Sequence, residues 1–170
     1  QERLRIGDPG VLAAGVLEFP NGRIVSRSID NRIGAFVVLE AARLFARNKA
    51  KKAASVTAVA TTREEIAATG GGARSSAVTL EPDVAIVVDV THATDYPGID
   101  KRKHGEYKLG GGPVISRGAS VSEVVFELLA AAAEAEGIPY TIEAASRDTH
   151  TDAEAIFNAH RGVATALVSV

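Results

Sequence analysis

Two kinds of apolar pattern alternate along this chain. Val56-Thr57-Ala58-Val59-Ala60, Val84-Ala85-Ile86-Val87-Val88 and Val163-Ala164-Thr165-Ala166-Leu167-Val168 are short, nearly continuous apolar runs rich in β-branched residues. Such runs mark strands buried on both faces. Between them, Ile33, Phe36, Val37, Leu39, Ala41, Leu44 and Phe45 recur at helical spacing. The pattern predicts a helix from Asn31 to about Arg47, a strand from Ser55 to Thr61, a short helix around Ala73 to Ala77 and a strand from Val84 to Val90. A long loop follows from Thr91 to Pro113. Then come a helix from Val121 to Glu136, a strand from Tyr140 to Ala144, a helix from Asp152 to Asn158 and a last strand from Val163 to Ser169. Strands alternating with helices predict an α/β fold, three layers deep, with a mostly parallel or mixed sheet covered on both faces.

The opening is different in kind. Val16-Leu17-Glu18-Phe19 reads as a short strand, Pro20-Asn21-Gly22 as a hairpin-type turn and Arg23-Ile24-Val25-Ser26 as its partner. Residues 1–27 are therefore expected to end a small β domain, and residues 28–170 to form the main one. The chain has no methionine, begins at Gln1 and stops in a strand at Val170 without a turn after it. This predicts a segment of a longer protein.

Composition narrows the chemistry. With 46% hydrophobic and 24% charged residues the chain can bury a core. Lysine plus arginine total 19 against 21 aspartate plus glutamate, a net charge of −2, so no overall field draws in nucleic acid or an anionic membrane. No run approaches the ~20 apolar residues of a membrane span, and Gln1-Glu2-Arg3-Leu4-Arg5 has no apolar signal core. A cytoplasmic protein acting on small molecules or peptides is the expectation. Cysteine is absent, which removes disulfides and thiolate chemistry.

Carboxylates stand where strands should hand over to loops: Asp30, the pair Glu64-Glu65, and Asp89 after Val84–Val88. In an open α/β sheet, ligands bind at that edge. Clustered carboxylates repel one another unless a cation sits among them, so the first reading is a metal-dependent hydrolase. Each has a structural alternative. Asp30 can be the N-cap of the helix beginning at Asn31. Glu64-Glu65 can be an acidic pair at a helix N-terminus. Asp89, closing a run of aliphatics, needs a partner in either case.

Four histidines are available. His92 follows Asp89 closely enough to line the same mouth, and His150 stands near the helix start at Asp152. His104 lies in the basic loop Lys101-Arg102-Lys103-His104 and reads as solvated, while His160 suits a helix C-terminus. None has the spacing of a zinc-binding helix motif. Gly70-Gly71-Gly72 and Gly110-Gly111-Gly112 match no nucleotide-binding pattern and read as turns.

Five ordered motifs carry a family resemblance over nearly the whole chain. Ser28-Ile29-Asp30-Asn31-Arg32-Ile33-Gly34, Thr62-Arg63-Glu64-Glu65-Ile66, Val87-Val88-Asp89-Val90-Thr91-His92-Ala93-Thr94-Asp95, Lys108-Leu109-Gly110-Gly111-Gly112-Pro113-Val114-Ile115 and Thr151-Asp152-Ala153 resemble the tetrahedral dinuclear-metal aminopeptidases of the glutamyl and deblocking types. The resemblance implies removal of N-terminal residues from short peptides with two divalent ions per subunit, zinc or cobalt. It also implies a homo-oligomeric tetrahedral dodecamer built from dimers, with residues 1–27 ending an inserted β-barrel domain that makes dimer contacts. By the same resemblance Asp30 bridges the two metals, Glu65 binds one, Asp89 binds the other and Glu64 is the general base. The family's two histidine ligands have no match within this sequence, and His150 stands where the family usually has glycine. Two readings stand beside this one: a fragment or subunit that only builds the shell, and another dinuclear hydrolase, a deacylase or carboxypeptidase, on the same architecture.

Overall fold

The computed structural model describes residues 3–49, 53–66 and 70–170. Its centre is a four-stranded mixed sheet in the order β3 (Val84–Asp89), β6 (Ala164–Ser169), β4 (Val114–Arg117), β5 (Thr141–Ala144). β3 runs parallel to β6 and β4 parallel to β5, while β4 and β6 are antiparallel. Around it lie α1 (Ile29–Arg47), α2 (Gly71–Leu80), α3 (Lys101–His104), α4 (Glu123–Ala135) and α5 (Asp152–Phe157). The expected α/β class with a mixed sheet is what the chain adopts.

Register separates the two faces. Val87 pairs with Leu167 and shares one face with it, where both pack on Val121 and on Ala153 and Ile156 of α5. Ile115 pairs with Val168, the neighbour of Leu167 that must point the other way. On that side Ile115 packs with Phe126 and Ala130 of α4, flanked by Leu129 and Tyr140. Thus α4 and α5 cover opposite faces, and the sheet is the middle layer. Asp89, two residues after Val87, projects on the α5 side.

The opening forms the expected hairpin: β1 (Leu17–Phe19) pairs antiparallel with β2 (Arg23–Val25) across Pro20-Asn21-Gly22. Both strands are exposed throughout.

The expected loop from Thr91 to Pro113 contains the short helix α3, capped by Asp100, and three further differences from the expected elements have physical causes. Residues 55–61 are not a strand: none of the described residues forms a ladder with them, so their β-branched side chains sit on unpaired backbone. Val114–Arg117 is a strand that the sequence pattern did not single out, because four residues are too few to show a period although three of them are buried. Gly71 and Gly72 open α2 rather than forming a free turn, and this helix runs on to Leu80.

Candidate active site

Asp30 stands just ahead of the regular part of α1, which begins after Asn31. Asp30 and Asn31 have non-helical backbone angles at the start of α1. The Asn31 side chain acts as the cap: its Oδ1 accepts from the Gly34 N–H at 2.8 Å, while its Nδ2 donates to the Val88 carbonyl at 2.8 Å. One amide thereby closes the helix and ties it to the last turn of β3. Asp30, relieved of capping, is exposed. Asp30 is therefore not the N-cap, because the Asn31 side chain makes that bond.

Asp89 ends β3 and is only 7% exposed. Its Oδ1 accepts from the Val90 N–H at 2.8 Å, and its backbone carbonyl accepts from the Val170 N–H at 2.9 Å, so the ends of β3 and β6 are locked together. Burial pushes the Asp89 carboxyl pKa above its usual value. The Val90 N–H opposes this, and the charges of Asp30, Asp152 and Glu65 add to the rise.

Glu64 and Glu65 lie in a 3-10 turn, Glu64–Ile66, entered through Arg63 in the left-handed region at φ 66°. The Glu64 carboxyl is also raised, first by burial and then by the charges of Asp89, Asp152, Glu65 and Asp30. Four other carboxylates therefore act on Glu64 at once, and the three sequence-derived metal candidates are among them.

The fifth member, Asp152, had no role in the sequence reading although its motif was quoted. It is the first residue of α5, 9% exposed, with its pKa raised by burial against a hydrogen bond from Thr61. That bond runs from Thr61 Oγ1 to Asp152 Oδ2 at 2.5 Å. The signal available in the sequence was Thr151-Asp152-Ala153-Glu154, a capping box, which fixes the helix start and hence the direction of Asp152. The box is complete: Thr151 Oγ1 accepts from the Ala153 N–H at 3.1 Å and Glu154 returns to the Thr151 N–H at 3.3 Å.

The histidines stand further out. His92 and His150 are exposed, the latter at φ 55°, and His104 ends the exposed α3. His160 lies two residues beyond the α5 C-cap Asn158 and faces Glu81 at 3.5 Å.

Fold and site together define an α/β protein with acidic side chains placed around the carboxyl end of β3. The chain belongs to the M42 glutamyl aminopeptidase family, whose model matches residues 1–170. It is 32% identical over 166 residues to the lysyl aminopeptidase of Pyrococcus furiosus, covering 98% of this chain and 45% of that protein. A TET aminopeptidase from a marine sediment Thaumarchaeota archaeon superposes with a TM-score of 0.80 at 30% identity, over 91% of this chain and 43% of that one. The Pyrococcus horikoshii TET1 peptidase, which can assemble into a tetrahedron or a large octahedral shell, superposes with a TM-score of 0.59 at 25% identity, over 86% of this chain and 41% of that one. The chain thus spans less than half the length of these relatives.

A metallopeptidase family implies a divalent metal. The donors fit one in kind, because mutually repelling carboxylate oxygens are hard ligands whose repulsion a cation relieves. In number they fall short: among the described residues no three histidine, aspartate or glutamate side chains form a group that could hold an ion.

Proposed function

We propose that this sequence forms the catalytic part of an aminopeptidase that removes N-terminal residues from short peptides. The observation that carries this reading is the family match, together with burial and the charges of Asp89, Asp152, Glu65 and Asp30, all of which raise Glu64. Asp30, Glu65 and Asp89 would help hold divalent ions, two of them and zinc or cobalt on the family's pattern. The remaining ligands, two histidines on the family's pattern, would come from the rest of the full-length protein. Bound there, the ions would polarise the scissile carbonyl and the attacking water.

The protein's own part is proton handling. Glu64 takes the proton of the attacking water and delivers it to the leaving amine.

The same reading extends to assembly. Large apolar side chains stay exposed on α1 at Phe36, Leu39 and Leu44 and on the hairpin at Leu17 and Phe19, which supports burial against further protein in a homo-oligomeric shell. Residues 1–27 would be the end of a β-barrel domain making dimer contacts. Among the described residues no helix is long and apolar enough to cross a membrane.

The test is hydrolysis of amino-acid anilides by the full-length protein, before and after chelation. Activity lost on chelation and restored by zinc or cobalt, with N-acetylated substrates left uncut, is the expected result. The incomplete ligand group among the described residues favours a second reading, a subunit that builds the shell without turnover. Normal assembly with no hydrolysis at any metal load would select it.

A further inference from the structure

We infer that Thr61 and Asp152 are positioning residues that aim the Glu64-Glu65 turn, an inference that rests on the hydrolytic reading above. The segment carrying the pair is gripped from two sides just before it turns. On one side Thr61 Oγ1 donates to Asp152 Oδ2 at 2.5 Å, closing 91 residues of sequence with one bond. Asp152 is itself held fast. It opens a helix capped by Thr151, and its neighbour Ala153 is fully buried against Val87 and Leu167 of the sheet.

On the other side the grip is backbone to backbone. The Gly72 N–H donates to the Thr62 carbonyl at 2.8 Å. A Cβ at Gly71 would lie 2.6 Å from the Thr62 oxygen, and one at Gly72 would lie 2.7 Å from the Thr62 nitrogen. These glycines, unexplained by any nucleotide motif, are the space into which the turn is pressed. The two grips are one unit, because Gly70 at the start of α2 sits directly against Ala155 of α5. Arg63, the next residue after this clamp, takes a left-handed conformation and leads into the turn that presents Glu64.

The choice of a carboxylate at position 152 adds direction. An ionised carboxylate only accepts, so the Thr61 hydroxyl must donate to it and has one orientation. Charge-assisted bonds of this type are the stronger class. A turn held this way presents its two carboxylates in fixed places, whereas misplacement by about 1 Å costs an enzyme up to about a hundredfold in rate.

The experiment uses the full-length protein, with kcat and KM measured separately on an amino-acid anilide, alongside metal content and thermal unfolding. Thr61→Val keeps the shape and removes the donor. It should lower kcat about tenfold or more with KM within about twofold, the fold intact and metal content near normal. Thr61→Ser, which restores the hydroxyl, should recover kcat to within about threefold. Thr61 is exposed, so its loss does not open the core, and Thr61→Ala is a second variant expected to match Thr61→Val.

The double variant Thr61→Val with Glu64→Gln should be no slower than Glu64→Gln alone, since a positioning residue has nothing left to position. Unchanged kcat in Thr61→Val and Thr61→Ala, equal loss in Thr61→Ser, or an additive double variant would overturn the inference. If Glu64→Gln collapses kcat while Thr61→Val does not, the clamp fails and the hydrolytic reading survives. If Glu64→Gln itself retains kcat, that reading fails and the clamp falls with it.

Discussion

The side-chain amide of Asn31 donates to the Val88 carbonyl at 2.8 Å, and this bond sets Asp30 beside Asp89. Each carboxylate is the next residue along from one partner of the bond. The same Asn31 side chain caps α1 through the Gly34 N–H, so helix start and strand end are fixed by a single group. Gly34 permits the approach: a Cβ there would lie 2.7 Å from the Val88 oxygen.

Asn31→Ala removes both bonds, leaving an orphan N–H at the helix start and a half-buried carbonyl. The expected cost is about 1–3 kcal/mol of stability, read as a lower urea midpoint, together with reduced metal content by elemental analysis. Asn31→Asp is the informative companion. It keeps the cap but loses the donor to Val88, so stability should largely return while metal content does not recover to the native level.

Three carboxyls make a contribution to the stability of the metal-free protein that falls as pH rises. Glu64, Asp89 and Asp152 all have folded-state pKa values above their ordinary ones, so the folded state holds their protons more tightly than the unfolded chain does. Their favourable contribution is full below the ordinary carboxyl range, about pH 4, and is lost as pH rises through the elevated folded-state values. Glu64→Gln should therefore be more stable than wild type near pH 7 in chelator, with the gap closing near pH 4. Urea midpoints at the two pH values decide the matter, and a less stable variant at pH 7 would contradict it.

Glu154 carries the opposite sign. Burial works to raise its pKa, but bonds from the Thr149 hydroxyl at 2.6 Å, the Thr149 N–H and the Thr151 N–H outweigh it and hold the value down. Its contribution is present above the ordinary carboxyl pKa and lost as pH falls through the lowered one. Glu154→Ala should cost about 1 kcal/mol at pH 7 and much less in acid, as followed by thermal unfolding across the range.

Much of this was legible in the sequence, and the exceptions share a cause. Helices α1 and α4 and strands β3 and β6 lie within a few residues of their expected bounds, because each carries a long periodic or continuously apolar run, and the short α5 and β5 also fall where expected. Val114–Arg117 is too short to show a period, and residues 55–61 have strand residues without a strand, because pairing depends on a neighbour that no local pattern reports. Asp30, Glu64, Glu65 and Asp89 were visible as carboxylates at strand ends. Asn31 and Asp152 were not singled out, since each acts through a partner 57 or 91 residues away. The glycines 70–72 likewise matter for what they press against, which spacing alone does not reveal.

The most direct measurement is a paired one on the full-length protein: metal content by elemental analysis and kcat on an amino-acid anilide, for Glu64→Gln and Asp30→Ala. The proposed base and the proposed metal ligand must part company in it. Glu64→Gln should keep its metal near the native level while kcat falls by about 10²–10⁴, and Asp30→Ala should lose metal and activity together. Equal metal loss in the two variants, or a Glu64→Gln protein that turns over at the native rate, would contradict the account.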